Sequence, residues 1–407
     1  MDIQVFFRAL KHRNYRMFCI GQSISLIGTW MQYVAVSWLV YRLTQSAFLL
    51  GVVGFINQVP MLVLTPISGV LADRWNRYRM LIFVQSGMMV FAAILAVLAL
   101  THWITLWHII VLGLCFGASN ALDAPTRHSF IVQLVENRHD LGNAIALNSA
   151  MFNSARLIGP AVAGLLISWT GEGVCFLLIS LSFLAVIAAL LAMKIPPQTL
   201  TASAQEGILK ELKEGFLYTF GSKPIRLILL HFAFAALMGM SFTVLLPILA
   251  NDILKGGSRG LGFLMGAMGI GALLSSILMA NRQGTEGLWK FAGRSSTIFG
   301  VGLLALSHSR NFTLSLVIMV ITGFGMINIM TASNTFLQTN IEDSKRARVM
   351  AFYLLAFFGT VPFGNLVTGT VAEIIGVPNM IMAAGIFSLV GSWVFLYKFR
   401  SYLREAS

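Results

Sequence analysis

Charge is scarce in this chain. Only 11% of its 407 residues are Asp, Glu, Lys or Arg, and the 15 acidic ones are outnumbered by 28 basic ones. Soluble domains carry about 25% charged residues. Together with 57% hydrophobic residues and a mean hydropathy of +0.81, this scarcity excludes a soluble globular chain. Cysteine is scarce as well. Cys19, Cys115 and Cys175 all fall inside apolar runs, with no CxxC pair or His-rich cluster. A disulfide framework and a structural zinc site are therefore not indicated. There is no GxxxxGK[ST] phosphate loop, so ATP hydrolysis within this chain is not expected. No H-E-x-x-H or G-x-S-x-G pattern occurs either, and no enzyme activity, cofactor or metal is expected.

What the chain does have is apolar length. Runs of about 20 residues recur, each long enough to cross a bilayer core of about 30 Å. Twelve spans are read, over roughly 15–41, 47–71, 79–101, 104–124, 145–169, 173–193, 226–250, 260–280, 291–308, 312–334, 350–374 and 378–399. The runs are too long and too uniformly apolar for barrel strands. The expected fold class is an all-α membrane protein of twelve helices in two pseudo-symmetric six-helix bundles. The basic N-terminal stretch MDIQVFFRALKHRNYRMF shows no small-x-small cleavage site. It reads as an interfacial segment leading into the first span.

A net charge of +13 would suit a nucleic-acid partner, but its distribution argues against one. The even-numbered connections and the termini carry 23 Lys and Arg, the odd connections four, and Arg156 is left over. This bias places both termini in the cytoplasm. The longest interruption, KIPPQTLTASAQEGILKELKEGFLYTFGSKPI over 194–225, opens on Pro196-Pro197 and turns amphipathic. It reads as a cytoplasmic linker with a surface helix. The expected organisation is an N-terminal bundle over 1–194, a linker over 195–224 and a C-terminal bundle over 225–407. HSFIVQLVENRHDLGNA (128–144) and NTFLQTNIEDSKRARVM (334–350) repeat an order of aromatic, Gln, acidic and basic residues. Halves repeated in one orientation are a transporter architecture, with the path expected between them.

The loop GVLADRWNRYR (69–79) places Gly69, Asp73, Arg74 and Arg77 in a Gly-x-x-x-Asp-Arg-x-x-Arg spacing. Gly69 lets helices approach closely, and an Asp at a helix end can face the N-terminal dipole of another helix. This spacing resembles the loop 2–3 signature of the major facilitator superfamily, and with twelve spans the resemblance covers the whole chain. It implies a cytoplasmic latch at Asp73, Arg74 and Arg77, with Gly69 as the packing residue. Gly159-Pro160 followed by Gly164 is similar to the helix 5 motif of that family's antiporters, with Ala163 in place of one glycine of the usual doubled pair. Pro160 removes a backbone donor and can kink the helix. A packing kink without a transport role is the plainer alternative. WLVYRLTQSAFLLGVVGF, NALDAPTRHSFIVQLVENRHDLGNAIALNSA and ARLIGPAVAGLL resemble the enterobactin-exporter-like branch, also called drug:proton antiporter-3 or transmembrane secretion effector. The resemblance implies export of siderophores or drugs.

Arg156 falls mid-span. An Arg at a helix centre costs about 2.5–3.5 kcal/mol on insertion scales, so it faces protein interior or water. Asn148, Phe152 and Arg156 recur every four residues and share a face. Either Arg156 lines a cavity and meets an anionic group, or it partners Asp123 or carbonyls at the Pro160 kink. Asp123 is a candidate proton carrier, with a helix-end turn beside Pro125 and Arg127 as the alternative. His231 and Glu373 are further coupling candidates. His231 can equally be a packed histidine, and Glu373 an interfacial residue.

Polar stripes mark a candidate substrate path: Gln22, Ser25, Thr29 and Gln32 in the first span, Asn120 in the fourth, and Asn328, Thr331 and Asn334 in the tenth. Resemblance to the family, where spans 1, 4, 7 and 10 line the cavity, implies the same for these. Phe234, Met238, Ser241 and Phe242 offer a soft wall for a bulky ligand. Helix–helix hydrogen bonding accounts for any single member equally well. The function expected is proton-coupled export of a bulky amphiphilic molecule from a bacterial inner membrane, by a monomer whose partners are that molecule, protons and lipids. A lipid or lysolipid flippase and a transport-inactive scaffold or sensor are the alternatives.

Overall fold

The computed structural model describes residues 8–135, 138–193, 208–282 and 284–406. Among these every regular element is helical. A short turn, Arg8–Lys11, precedes α1 (Arg13–Thr44), α2 (Ala47–Arg74), α3 (Arg77–Leu100) and α4 (Leu106–Leu134). Arg138–Leu191 is one continuous run interrupted by Gly171, whose φ of 82° only glycine adopts freely. It therefore holds two spans, α5 (138–170) and α6 (172–191). A linker helix, Ile208–Gly221, follows. Then come α7 (Lys223–Ile253), α8 (Gly257–Ala280), α9 (Leu288–His308) and α10 (Phe312–Asn340). α11 runs in two pieces, Asp343–Phe358 and Val361–Ile375, and α12 is Val377–Ala406. Among the described residues ten stretches qualify as spans by length and apolarity. The Gly171 break divides one of them, and the less apolar α9 completes the twelve. The all-α membrane fold of two pseudo-symmetric six-helix bundles is thus present.

Most boundaries fall near the apolar run ends. The largest departure is α4, which continues ten residues past the expected end at 124. The amphipathic piece of the linker is helical, while its Pro196-Pro197 opening lies outside the described residues. α7 is irregular: an α-helix to Phe234, a wide π turn over Ala235–Gly239, a 3-10 stretch over Met240–Leu245 and a second π turn over Leu249–Ile253. Pro247 explains part of this. It has no N–H to offer the Thr243 carbonyl, and the Leu246 N–H takes that carbonyl by a three-residue step instead.

Packing divides the chain into two compact units. The first holds 1–43, 56–203 and 257–266, and the second 44–55, 204–256 and 267–407. The start of α2 and the start of α8 each belong to the unit that does not hold the rest of their helix. In the first unit α3 packs on α4 and on the α5–α6 run, and in the second α9 packs on α10 and α12. Glycines permit this closeness where lipid supplies no hydrophobic drive between helices. A Cβ on Gly21 of α1 would meet Ala189 and Val186 of α6 at under 3.0 Å, and one on Gly323 of α10 would strike the Met268 backbone of α8. At one end of the first unit a cluster closes around Tyr15, Phe18, Phe130 and Leu190. The Tyr15 hydroxyl donates to the Ala144 carbonyl at 2.7 Å.

Candidate functional site

Five polar side chains from four helices join inside the first unit. Ser25 Oγ on α1 donates to Gln85 Oε1 on α3 at 3.1 Å. Gln85 Nε2 donates to Asp123 Oδ1 on α4 at 2.8 Å. Arg127 Nε donates to Asp123 Oδ2 at 3.1 Å, one turn along α4. Arg127 also donates through Nη1 to Asn148 Oδ1 on α5 at 3.4 Å. The ion pair is dry: the Asp123 and Arg127 side chains are 9% and 7% exposed. Asp123 lies inside a helix and not at its end, because α4 runs on through Pro125. Thr126 Oγ1 bonds back to the Leu122 carbonyl beside that proline. The chain thus buries a titratable group and satisfies both of its oxygens, as buried carboxylates require.

Arg156 is not part of this chain. Its guanidinium carbon sits 4.9 Å from the Trp30 ring centroid and 5.4 Å from that of Phe152. The two rings meet edge to face at 5.6 Å and 74°. α1 is held close here, since a Cβ on Gly159 would lie 2.6 Å from Trp30 Cβ and 2.9 Å from the Ile27 carbonyl. Among the described residues no carboxylate lies within ion-pair distance of Arg156. Asp123, the partner considered from sequence, is taken by Arg127. Each ring face is worth about 0.5–2 kcal/mol to a cation, which offsets much of the cost of a mid-span Arg. The faces take charge only. They do not engage the five in-plane N–H donors.

The other candidates are placed as follows. Gln22 and Gln32 are buried, each with an Oε1 that lacks a partner. Thr29 bonds back to the Ser25 carbonyl at 3.0 Å, and Asn120 is half-buried. In α10 Asn328 accepts from Ser275 of α8 at 2.7 Å and leaves its Nδ2 without a partner. Thr331 bonds to the Ile327 carbonyl, and Asn334 accepts from Gln338 at 2.7 Å. In α7 Phe234 packs against Gly391 and Phe387 of α12, and Phe242 meets Phe299 edge to face at 6.1 Å. Ser241 is fully buried at Gly364 of α11, and Met238 is half-buried. His231 is buried and stacks on Phe395 at 4.2 Å and 14°, as a packed histidine does.

Glu373 is exposed and caps α2. Its Oε2 accepts from the Phe48 N–H at 3.0 Å and from Ser46 Oγ at 3.1 Å, while Ser46 Oγ accepts from the Leu49 N–H at 3.3 Å. Two of the orphan donors at that helix start are thereby satisfied. Glu373→Ala is expected to lower stability by about 1 kcal/mol. Thermal unfolding in detergent checks this, and a variant as stable as wild type rules the cap out.

Asp73 and Arg74 lie in the last turn of α2 and Gly69 one turn earlier. Their side-chain surroundings lie outside the described residues. Arg77 opens α3, where Asn76 Oδ1 accepts from the Arg79 N–H at 3.1 Å. Pro160 and Gly164 face α8: a Cβ on Gly262 would lie 2.5 Å from the Pro160 carbonyl and 2.8 Å from Gly164 Cα.

Sequence reasoning placed Arg127 in a loop and did not single out Gln85 or Trp30. Gln85 stands alone in the apolar run MLIFVQSGMMVF, and a lone amide in such a run was the available signal. Arg127 lies four residues after Asp123, the helical spacing for an ion pair.

The model of the family described as "Transmembrane secretion effector" matches residues 5–406. The staphyloferrin A transporter of Staphylococcus aureus (strain NCTC 8325 / PS 47) is 25% identical over 394 residues, covering 94% of this chain and 95% of that protein. The enterobactin exporter EntS of Shigella boydii serotype 4 (strain Sb227) is 24% identical over 343 residues, covering 83% and 80%. Among solved structures, an inward-facing, occupied bacterial homologue of the human lysosomal transporter Spinster superposes with a TM-score of 0.76. It is 14% identical and covers 97% of this chain and 98% of that one, a likeness of fold alone. These relatives are membrane transporters and not enzymes. Matched from end to end and folded as twelve helices, this multi-pass membrane protein belongs to the transmembrane secretion effector family of major facilitator transporters.

Proposed function

We propose that the chain is a secondary active exporter of a bulky amphiphilic small molecule, a siderophore or a drug, driven by proton entry through alternating access. It works as a monomer in the plasma membrane of a bacterium, with both termini cytoplasmic. The bias of Lys and Arg toward the even connections supports that orientation. Its partners are the exported molecule, protons and the surrounding lipid.

The observation that carries the reading is a titratable carboxylate locked into a dry polar network, in a chain whose relatives include an enterobactin exporter. Ionised, Asp123 holds Gln85 and Arg127. A proton on Asp123 removes the charge from that pair and turns one acceptor oxygen into a donor. Arg127 then loses its charge partner, and its bond to Asn148 on α5 becomes a larger share of what holds it. The network ties α1, α3, α4 and α5, so one proton changes the bonding of four helices. A switch of this kind needs only a local change in charge to bias a two-state element.

Inside-out vesicles with an acid interior test the coupling. The wild type is expected to accumulate at least one compound from a panel of anionic siderophore-like and cationic drug-like probes, and to lose that accumulation when a protonophore collapses the gradient. Asp123→Asn is expected to abolish gradient-driven accumulation while keeping gradient-free counterflow. Accumulation by the variant at the wild-type level, or indifference of the wild type to the gradient, would refute proton coupling through Asp123.

A further inference from the structure

The interior charges of the first unit do not cancel. Several of its described ionisable side chains along the spans form ion pairs. Asp123 pairs with Arg127, and Arg42 pairs with Glu172 at 2.7 Å. At the start of α5, Asp140 is held by Arg8 and by His12. Asn148, two turns before Arg156 on the same face of α5, already accepts from Arg127. Arg156, mid-span, is left with two aromatic rings and no anionic partner among the described residues.

We infer that Arg156, between Trp30 of α1 and Phe152 of α5, is a carboxylate subsite that receives an acidic group of the exported compound. The inference rests on the exporter reading above and names the substrate class, an acid with an apolar body. Three features support it. A guanidinium held near ring faces by charge leaves its N–H donors for a forked pair of hydrogen bonds, which a carboxylate matches. Trp30 and Phe152 meet edge to face beside it and supply an apolar wall for the rest of the molecule. The contact of Gly159 with Trp30 fixes the spacing of α1 and α5, so the ring and the cation are held in place before any ligand arrives.

A lipid headgroup fits poorly as the source of the anion. Arg156 stands 18 residues from the start of α5 and 14 from its end. At 1.5 Å per residue it is roughly 20–27 Å from either end of the helix, and the middle of a core of about 30 Å is about 15 Å from either headgroup layer.

The test is a binding measurement without a gradient, so it does not depend on proton coupling. Purified full-length protein in lipid nanodiscs is titrated with citrate, salicylate and succinate, and with the uncharged methyl ester of each. Binding is followed by tryptophan fluorescence, with isothermal calorimetry as a second readout. At least one acid is expected to bind saturably, and its ester at least tenfold more weakly. Arg156→Gln is expected to weaken that acid at least tenfold and leave its ester unchanged, while Arg156→Lys gives an intermediate loss. Trp30→Phe is expected to remove most of the fluorescence response while calorimetry still registers binding. Melting temperatures of all variants establish that they are folded. Equal affinity of acid and ester, equal affinity of wild type and Arg156→Gln, or no response of the wild type to any of the three acids overturns the subsite. The two readings fail separately. Binding that depends on Arg156 together with gradient-independent vesicles sinks proton coupling alone, and gradient-driven transport of cations with no binding of acids sinks the subsite alone.

Discussion

Asp123→Leu is expected to destabilise the folded protein by about 3–5 kcal/mol, the cost of stranding one partner of a buried ion pair. The stranded partner is Arg127, whose side chain is 7% exposed and whose Nε has no other acceptor in the network. Gln85 Nε2 loses its acceptor in the same step. The two halves of the pair are not equivalent. A carboxylate left alone can take a proton and become neutral, whereas a guanidinium stays charged in a protein. Arg127→Leu is therefore expected to cost clearly less than Asp123→Leu. Replacing both by leucine removes the unpaired charge, and apolar replacement of a buried pair is commonly neutral or stabilising. The double variant should lie nearer to wild type than Asp123→Leu does. Thermal unfolding in detergent, followed by tryptophan fluorescence, measures all three. A double variant no better than Asp123→Leu would mean that the pair does not act as a unit.

The same pair shows what the sequence made readable and what it hid. Hydropathy reports how a segment meets lipid. The spans were therefore legible, including the division of 138–191 at Gly171, where apolar runs stop on either side of a glycine. Hydropathy does not report burial against protein. The stretch Asp123 to Leu134 looks like the end of a span and the start of a loop, yet it is helix, with Arg127, Phe130 and Ile131 buried. Polar residues satisfied inside a bundle and polar residues dissolved in water leave the same trace in a composition window. Arg156 was conspicuous for the opposite reason, since strongly apolar sequence surrounds it. Its ring partner Trp30 was not, because contact across helices 1 and 5 depends on a Gly159 approach that no single helix encodes. Glu373 stood out as a span-end acid, but its task of capping α2 joins residues far apart in sequence. The irregular course of α7 was announced only by Pro247.

Gly164→Leu is expected to reduce transport to background, and Gly142→Leu in the same helix is expected to leave it near wild type. The two glycines differ in what a side chain would meet. A Cβ at Gly164 would lie 2.7 Å from the Ser258 carbonyl oxygen and 2.8 Å from Gly262 Cα. Both obstacles are α8 backbone, so no rotamer change makes room. A Cβ at Gly142 meets nothing within 4 Å. Leucine at 142 also gains helix propensity of about 1 kcal/mol over glycine, which favours the control. The added bulk at 164 must separate α5 from α8, and overpacking of this kind costs about 1–3 kcal/mol. That is a moderate loss for the fold and, under the proposed alternating-access cycle, a severe one for any state in which the two backbones meet. The second unit holds a counterpart: a Cβ on Gly369 of α11 would lie 2.5 Å from the Ala47 carbonyl and 2.7 Å from Gly51 Cα of α2. Gly369→Leu should therefore fail as Gly164→Leu does. Vesicle accumulation and melting temperature, measured on the same preparations, separate the two effects. If Gly164→Leu transports at the wild-type rate, close contact of α5 and α8 is not a state the working protein passes through.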